Sequence, residues 1–272
     1  MKIWKNTSTL DGFDQGLTFT DSKEEASIAL LGSKPIKINQ FKNLKGIFRA
    51  GIGRDNVPEK EATSKGIEVV YPQKKVMNII YEETAAFTCN LIFRMAYSKV
   101  GTISPWQKES RSKLSGKYLL IIGSGNIGAR VSSLMSSFMK ILVFDIKNND
   151  ISELKFMIRK ADLITVHIPM DNDNIAFFDK EKLSWVKNHA SLINTSRGAI
   201  FDEEALFQEL KQRRLKAAFD VYWNEPYQGK LSELNQEIFY MTPHVASTCK
   251  EFLLGCRESL DNLINKIKKN IG

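Results

Sequence analysis

The sequence predicts an α/β protein made of two doubly wound parallel-sheet lobes with a cleft between them. Three observations carry that expectation. Short apolar runs alternate with helical patterns along almost the whole chain, a glycine-rich turn joins one such run to a helix, and a polar stretch near residues 95–116 separates two sets of the alternation. At 272 residues there is room for two modest domains. The 43% hydrophobic and 26% charged content is that of an ordinary globular chain, which excludes a disordered or fibrous one.

In the first part, Ile28–Leu31, Gly46–Arg49 and Ile67–Tyr71 are short apolar runs ended by Gly, Pro or polar residues, the pattern of buried parallel strands. Pro58 opens a polar helix reaching Lys65, a position proline tolerates. From Asn78 to about Tyr97 the residues Ile79, Ala86, Cys89, Asn90, Phe93 and Tyr97 recur at helical spacing. The second part offers strands at Tyr118–Ile122, Ile141–Phe144, Leu163–Val166, Ser191–Asn194, Ala217–Phe219 and Ile238–Met241. Helices are expected at Ile127–Met139, Ser152–Lys160, Asp179–Lys187 and Asp202–Arg213. Such alternation implies right-handed crossovers and a parallel sheet covered on both faces. A last amphipathic helix, Lys250–Lys269, packs back on the first lobe in this reading. The lobes are then residues 1–95 with 248–272, and residues 96–247.

The formal charge of +8 is compatible with nucleic acid, an anionic membrane or a small anionic substrate. The basic residues are spread along the chain and no nucleic-acid motif accompanies them, so no nucleic-acid partner is expected. No window approaches the roughly 18 apolar residues of a membrane span, and the amino terminus lacks a signal-type apolar stretch. Three sparse cysteines, Cys89, Cys249 and Cys256, form neither a CxxC pair nor a metal-ligand cluster. The expectation is a soluble, cytoplasmic protein with no metal.

Gly123-Ser-Gly125-Asn-Ile-Gly128 is a GxGxxG motif set directly between an apolar strand and a helix. A second strand ends in Asp145, 17 residues past the last glycine. Each glycine has a task. Gly123 permits the tight turn, Gly125 lets the backbone approach a pyrophosphate, and Gly128 allows the helix to pack closely on the strand. The helix N-terminus offers free N–H groups and a positive dipole to the phosphates. Asp145 accepts from the ribose hydroxyls and repels a 2′-phosphate, so this Rossmann-type signature points to NAD rather than NADP.

Ligands of open α/β sheets bind at the carboxyl ends of the strands. There the sequence places His167 and Pro169 after the third strand, Thr195, Ser196 and Arg197 after the fourth, Asp220 and Glu225 after the fifth, and His244 after the sixth. An arginine, a carboxylate and a histidine thus meet one sheet edge. A guanidinium grips a carboxylate with fixed two-pronged geometry. Histidine is the side chain suited to donate a proton near neutral pH, and a carboxylate beside it stabilises the imidazolium and fixes the ring.

At these residues the chain resembles the D-isomer-specific 2-hydroxyacid dehydrogenases. The matching stretches are Arg49-Ala-Gly-Ile-Gly-Arg-Asp-Asn56, Gly123–Gly128, Leu192–Ala199 with Asp202-Glu203, Asp220-Val-Tyr-Trp-Asn-Glu-Pro226 and Thr242-Pro-His-Val-Ala-Ser247. The resemblance implies a catalytic trio of Arg197, Glu225 and His244. It further implies Asp220 on the nicotinamide carboxamide, Thr195 and Arg197 beside the nicotinamide, and Asn126-Ile127 at the pyrophosphate. His167 is expected to pack near the adenine side rather than to donate a proton, because His244 has the supporting carboxylate. Backbone amides at Gly32-Ser33 and Gly51-Ile52 would hold the substrate carboxylate. The implied activity is hydride transfer between NAD(H) and a small anionic 2-oxo or D-2-hydroxy acid of the glyoxylate, hydroxypyruvate, phosphoglycerate or D-lactate type, usually in a homodimer. The family's substrate lobe is flavodoxin-like. Here it is trimmed by some 40 residues ahead of Ser27, and Tyr81-Glu82-Glu83-Thr84 stands where Val-Ala-Glu-His is typical. A non-catalytic NAD(H)-sensing regulator on the same scaffold is the alternative, because a sensor can keep both fold and site.

Overall fold

The computed structural model describes residues 1–271. Contacts divide the chain into two compact units, Met1–Ile80 together with the residues from Ser247 onward, and Tyr81–Ala246.

In the first unit β1 (Lys2–Lys5), β2 (Thr18–Phe19), β3 (Ile28–Leu31), β4 (Gly46–Arg49) and β5 (Glu68–Val70) form one parallel sheet ordered β2-β1-β3-β4-β5, and α1 (Glu59–Ser64) joins β4 to β5. Side-chain alternation sets its two faces. Ile28, Leu30 and Phe48 enter one apolar cluster, and Ala29, Leu31 and Ile47 enter the other. Every residue of β3 and β4 is buried, so these strands read as continuous runs rather than alternating ones. The sequence does not announce β1 and β2. Lysines flank Ile3 and Trp4, only Ile3 of the four is fully buried, and β2 has two residues.

Helix α2 (Lys74–Ala96) begins four residues before the expected Asn78, with Lys74 and Lys75 at its start and Val76 already buried in its first turn. The contact boundary lies inside this helix, at Ile80 and Tyr81, whereas the polar stretch suggests residue 95. The packing explains the difference. Val76 and Ile80 belong to one cluster with Ile28 and Phe48, while Ala85, Leu91, Ile92 and Met95 belong to another with Leu119 and Ile121.

The second unit starts with a short antiparallel hairpin, β6 (Gly101–Thr102) and β7 (Gln107–Lys108). Then follow β8 (Tyr118–Ile122), α3 (Asn126–Met135), β9 (Lys140–Phe144), α4 (Ile151–Lys160), β10 (Leu163–Val166), α5 (Lys180–Trp185), β11 (Ser191–Asn194), α6 (Glu203–Lys211), β12 (Lys216–Phe219) and β13 (Phe239–Met241). Its six strands are parallel in the order β13-β12-β11-β10-β8-β9. Leu120, Ile122, Ile164, Val166 and Phe219 point to one face, and Leu119, Ile121, Leu163, Ile193 and Ala218 to the other. Each of these Leu, Ile, Val and Phe side chains contributes about 1.5–3 kcal/mol. From β8 the chain steps out to β9 and then crosses to β10 on β8's other side. That reversal opens a crevice at the carboxyl ends of β8 and β10.

Helices α4, α5 and α6 are each capped by an aspartate, Asp150, Asp179 and Asp202, whose side chains accept from the N–H groups of Ser152, Lys182 and Ala205. Such caps are worth about 1 kcal/mol apiece. Helix α3 differs: it starts at Gly125 with no side-chain cap.

The last helix, α7 (Lys250–Ile271), packs on the first unit's sheet. Its Phe252, Cys256, Leu260, Leu263 and Ile267 recur every three or four residues, as the amphipathic pattern requires. Among the described residues no helix is long and apolar enough to cross a membrane, the three cysteines are free, and no group of side chains could hold a metal ion.

Candidate active site

The glycine turn after β8 is built as its sequence demands. Gly123 has φ +92°, a left-handed value that favours glycine, and its N–H donates to the Phe144 carbonyl at the end of β9. A Cβ on Gly128 would lie 1.9 Å from the Gly123 carbonyl oxygen, so only glycine lets α3 sit this close to the turn. A Cβ on Gly125 would meet nothing within 4 Å. Open space therefore fronts the uncapped start of α3, where Asn126 and Ile127 lie in a turn whose N–H groups have no carbonyl partner inside the helix.

Asp145 closes this loop from β9. Its Oδ2 accepts from the Ser124 N–H at 2.8 Å and the Ser124 hydroxyl at 3.0 Å, and its Oδ1 accepts from the Lys147 N–H at 3.1 Å. The Ser124 backbone donor, then that of Lys147, holds the carboxyl below the usual aspartate value, so it stays ionised. A carboxylate has about four acceptor sites, and three bonds leave capacity for a ribose hydroxyl.

His167 lies beneath the turn. Its carbonyl oxygen would be 2.6 Å from a Cβ on Gly123, and its own Cβ 3.4 Å from one on Gly128. Nε2 shares a 3.0 Å hydrogen bond with the Thr165 hydroxyl, while Nδ1 is sealed from solvent and has no protein partner. Burial pushes this imidazole down to about 3, so it is neutral at physiological pH. The unfolded chain binds a proton here below about pH 6.5 and the native chain does not, so this contribution to stability is complete above that pH. It is lost as the pH falls toward 3, at up to about 1.4 kcal/mol per pH unit. Denaturant titrations between pH 7 and 4 are expected to show that slope in the wild type and a shallower one in His167→Gln. Identical slopes would contradict the assignment. Pro169 follows two residues later, exposed, with its carbonyl accepting from Asn174.

After β11 the buried Asn194 folds the chain back. Its side chain accepts from the Ser196 N–H at 2.9 Å and donates to the Arg197 carbonyl at 2.8 Å. The Ser196 hydroxyl ties this loop to the Val166 carbonyl of β10, and the Thr195 hydroxyl meets Thr88 of α2 at 2.9 Å. Arg197 donates to the Ser196 carbonyl. A Cβ on Gly198 would lie 2.2 Å from the Tyr222 backbone, so the Arg197 loop packs backbone to backbone on the loop that leads to Glu225.

Asp220, fully buried after β12, accepts from the Thr242 hydroxyl at 2.5 Å and from the N–H groups of Val245 and Ala246 at 2.9 Å each. Burial pushes its carboxyl up, and those hydrogen bonds oppose the shift. The three bonds grip the chain on both sides of His244, a residue at φ +54°. Tyr222 adds a second clamp: its single hydroxyl proton is shared between the Phe219 and Thr242 carbonyls, its oxygen accepts from the Thr242 N–H, and its own N–H donates to Glu225 Oε1. Within this frame Glu225 Oε2 stands 2.8 Å from His244 Nδ1, with the two side chains only 21% and 34% exposed.

The sequence-predicted residues Arg197, Glu225 and His244 thus follow three adjacent strands, β11, β12 and β13. Tyr222, Asn194, Thr242 and Thr88 are supports to which the sequence reading gives no role; the first three lie inside the stretches that carry the resemblance, and Thr88 lies outside them. In the first unit, Gly32 and Gly51 follow β3 and β4. The Gly32 N–H donates to Asn6 Oδ1 at 2.9 Å and the Gly51 N–H to the Arg49 carbonyl at 2.9 Å, and Ser33 is also engaged. Buried Arg49 and Asn56 bind these loops together. Arg49 donates to Asn56 Oδ1 and to the Ala50 carbonyl, and Asn56 to the Gly32 and Lys34 carbonyls.

Residues 91–246 match the family model described as D-isomer specific 2-hydroxyacid dehydrogenase, NAD binding domain. The chain belongs to that family. It is similar to hydroxypyruvate reductase of Thermotoga maritima, 30% identical over 86% of this chain and 80% of the relative. It is also similar to glyoxylate reductase of Thermofilum pendens, 29% identical over 77% of this chain and 67% of the relative. In fold it is similar to a D-lactate dehydrogenase of Aquifex aeolicus solved with NAD and lactic acid, with TM-score 0.81 and 21% identity over 99% of this chain and 96% of that one. As a D-2-hydroxyacid dehydrogenase, the protein is an NAD-dependent oxidoreductase acting on a CH–OH carbon. The open glycine turn, the uncapped start of α3, the ionised Asp145 and the orphaned His167 Nδ1 fit that cofactor.

Proposed function

We propose that this D-2-hydroxyacid dehydrogenase reduces a small 2-oxo acid to its D-2-hydroxy acid, and runs the reverse reaction, with Arg197, Glu225 and His244 as its working side chains. The observation that carries the reading is the 2.8 Å contact between Glu225 Oε2 and His244 Nδ1. With Nδ1 committed to a carboxylate, the imidazole holds its other nitrogen, Nε2, for the substrate oxygen. It donates a proton there in reduction and removes one in oxidation. Glu225 stabilises the imidazolium and fixes its orientation. Arg197 binds the substrate carboxylate through its fork and keeps C2 positioned. NAD, when bound, supplies or takes up the hydride. Gly123, Gly125, Asn126, Ile127 and Gly128 form the pyrophosphate cradle, Asp145 takes the ribose, and His167, Pro169, Thr195, Ser196 and Asp220 line the rest of the cofactor's course. Carboxylate contacts from Gly32-Ser33 and Gly51-Ile52 belong to the same reading, but the Gly32 and Gly51 N–H groups would first have to leave Asn6 and Arg49.

The test is NADH oxidation with glyoxylate, hydroxypyruvate, pyruvate, phosphohydroxypyruvate and branched 2-oxo acids. Turnover on at least one supports the enzyme, whereas none, with NADH still bound, would favour the sensor. Arg197→Lys replaces a fork with a point charge. A charged hydrogen bond is worth about 1.5–3 kcal/mol, so KM for the 2-oxo acid is expected to rise about 10- to 100-fold with NADH affinity unchanged. An unchanged KM would remove Arg197 from the carboxylate.

We also propose a cytoplasmic homodimer. The three free cysteines suit a reducing compartment. The hairpin β6–β7 holds Ile103 and Trp106, each 80% exposed, apolar side chains of the kind a second copy covers. Light scattering is expected to give twice the 30.9 kDa chain mass for the wild type and the chain mass for Trp106→Glu. A monomeric wild type would contradict this.

A further inference from the structure

The amino-terminal edge of the second unit's sheet, opposite the edge bearing Gly123, Arg197 and His244, is hollowed into an open cavity of about 400 Å³. Lys117, Asp162, Ser191 and Lys216 stand where β8, β10, β11 and β12 begin, and the carboxyl end of α2 and the segment 109–112 form its walls. None of these groups has a part in the hydride-transfer site.

Its charge is one-sided. Five cations, Lys99, Arg111, Lys117, Lys187 and Lys216, line the cavity against two carboxylates, Glu109 and Asp162. The whole unit carries 21 Lys and Arg against 19 Asp and Glu, so this cavity holds a larger surplus than the unit around it. Asp162 is already spent, with Oδ1 2.7 Å from Lys187 Nζ and Oδ2 accepting from the Tyr118 N–H. Among the described residues neither Lys99 nor Lys216 forms an ion pair.

Lys216 donates to the Ser98 hydroxyl at 2.9 Å, a neutral partner that offsets no charge. Burial, and then the nearby Lys99 ammonium, holds the Lys216 amine below the usual lysine value, against the pull of Glu237 and Glu109. Arg111 is held with its guanidinium 4.4 Å over the Tyr97 ring. The negative end of the α2 dipole amounts to about half a charge, too little to account for such a surplus. The volume lies within the usual range of ligand pockets, roughly 300–1,000 Å³.

We propose that this cavity is a second binding site, for a phosphate-class dianion. Lys99, Lys216 and Arg111 supply the charge, and the Ser98, Ser112 and Ser191 hydroxyls supply neutral donors. Arginine is the residue suited to a planar hold on phosphate oxygens, and the lysines act as point charges.

The experiment is isothermal titration of the protein saturated with NAD⁺, so that the glycine turn is filled, at constant ionic strength kept with sodium chloride. Inorganic phosphate and glycerol 3-phosphate are the two probes. Saturable binding near one site per chain is expected, weakened at least fivefold in Lys216→Met and in Arg111→Gln, with NAD⁺ affinity unchanged in both. Arg111 is exposed, so its variant keeps the test sound should Lys216→Met fold poorly. Tighter binding of the ester identifies a phosphorylated metabolite as the occupant, and equal binding identifies free phosphate. Heats that never saturate, or affinities equal in the wild type and both variants, overturn the proposal.

Discussion

Replacing His244 by asparagine or by glutamine is expected to lower kcat for 2-oxo acid reduction by about 10²–10⁴-fold, the usual contribution of a positioned general acid, while NADH binds as before. Two replacements are needed because of the backbone. His244 sits at φ +54°, where asparagine is at home and glutamine is not, so the glutamine variant alone would mix lost chemistry with lost loop geometry. A comparable loss in both variants assigns the effect to the imidazole. Nearly normal turnover in the asparagine variant would mean that the proton comes from elsewhere, and the Glu225 contact at 2.8 Å would then be structural only.

The glycine turn gives the second large effect, through a contrast. Gly128→Ala places a methyl group 1.9 Å from a backbone oxygen that cannot rotate away, so α3 must move off the turn. Overpacking of this kind costs about 1–3 kcal/mol, so both Tm and NAD⁺ affinity should fall, the affinity by about 10- to 100-fold. Gly125→Ala meets nothing in the protein, and φ −70° suits any residue. It should leave Tm unchanged and weaken NAD⁺ alone, because its methyl group fills the space through which the backbone meets the pyrophosphate. Equal Tm losses in the two variants, or a Gly125→Ala protein with full NAD⁺ affinity, would contradict this account of the turn. Tm and fluorescence titration with NAD⁺ provide both readouts.

What was legible in the sequence follows the range of the interactions involved. The strand–turn–helix around Gly123 and the strand ends that carry Arg197, Glu225 and His244 are local patterns, set by period and by glycine's backbone freedom, and they stand at the expected strand ends. The resemblance places Asp220 on the nicotinamide. Three of its acceptor positions are filled by Thr242, Val245 and Ala246, 22 to 26 residues away, a meeting no window of sequence contains. Gly32 reads as a free amide for the same reason, its acceptor Asn6 lying 26 residues before it. The contact boundary escaped because α2 is one unbroken helix whose two ends serve different clusters, and periodicity is blind to which cluster a buried side chain joins. The short β1 escaped because a strand with one fully buried residue leaves almost no hydrophobic trace.

The most direct test is the configuration of the product. Hydroxypyruvate reduced by this protein with NADH, separated on a chiral column, is expected to yield D-glycerate alone, since in the proposed site His244 and Arg197 would present one face of C2 to the hydride. L-glycerate, or a mixture of the two enantiomers, would contradict the arrangement of guanidinium, imidazole and cofactor proposed here.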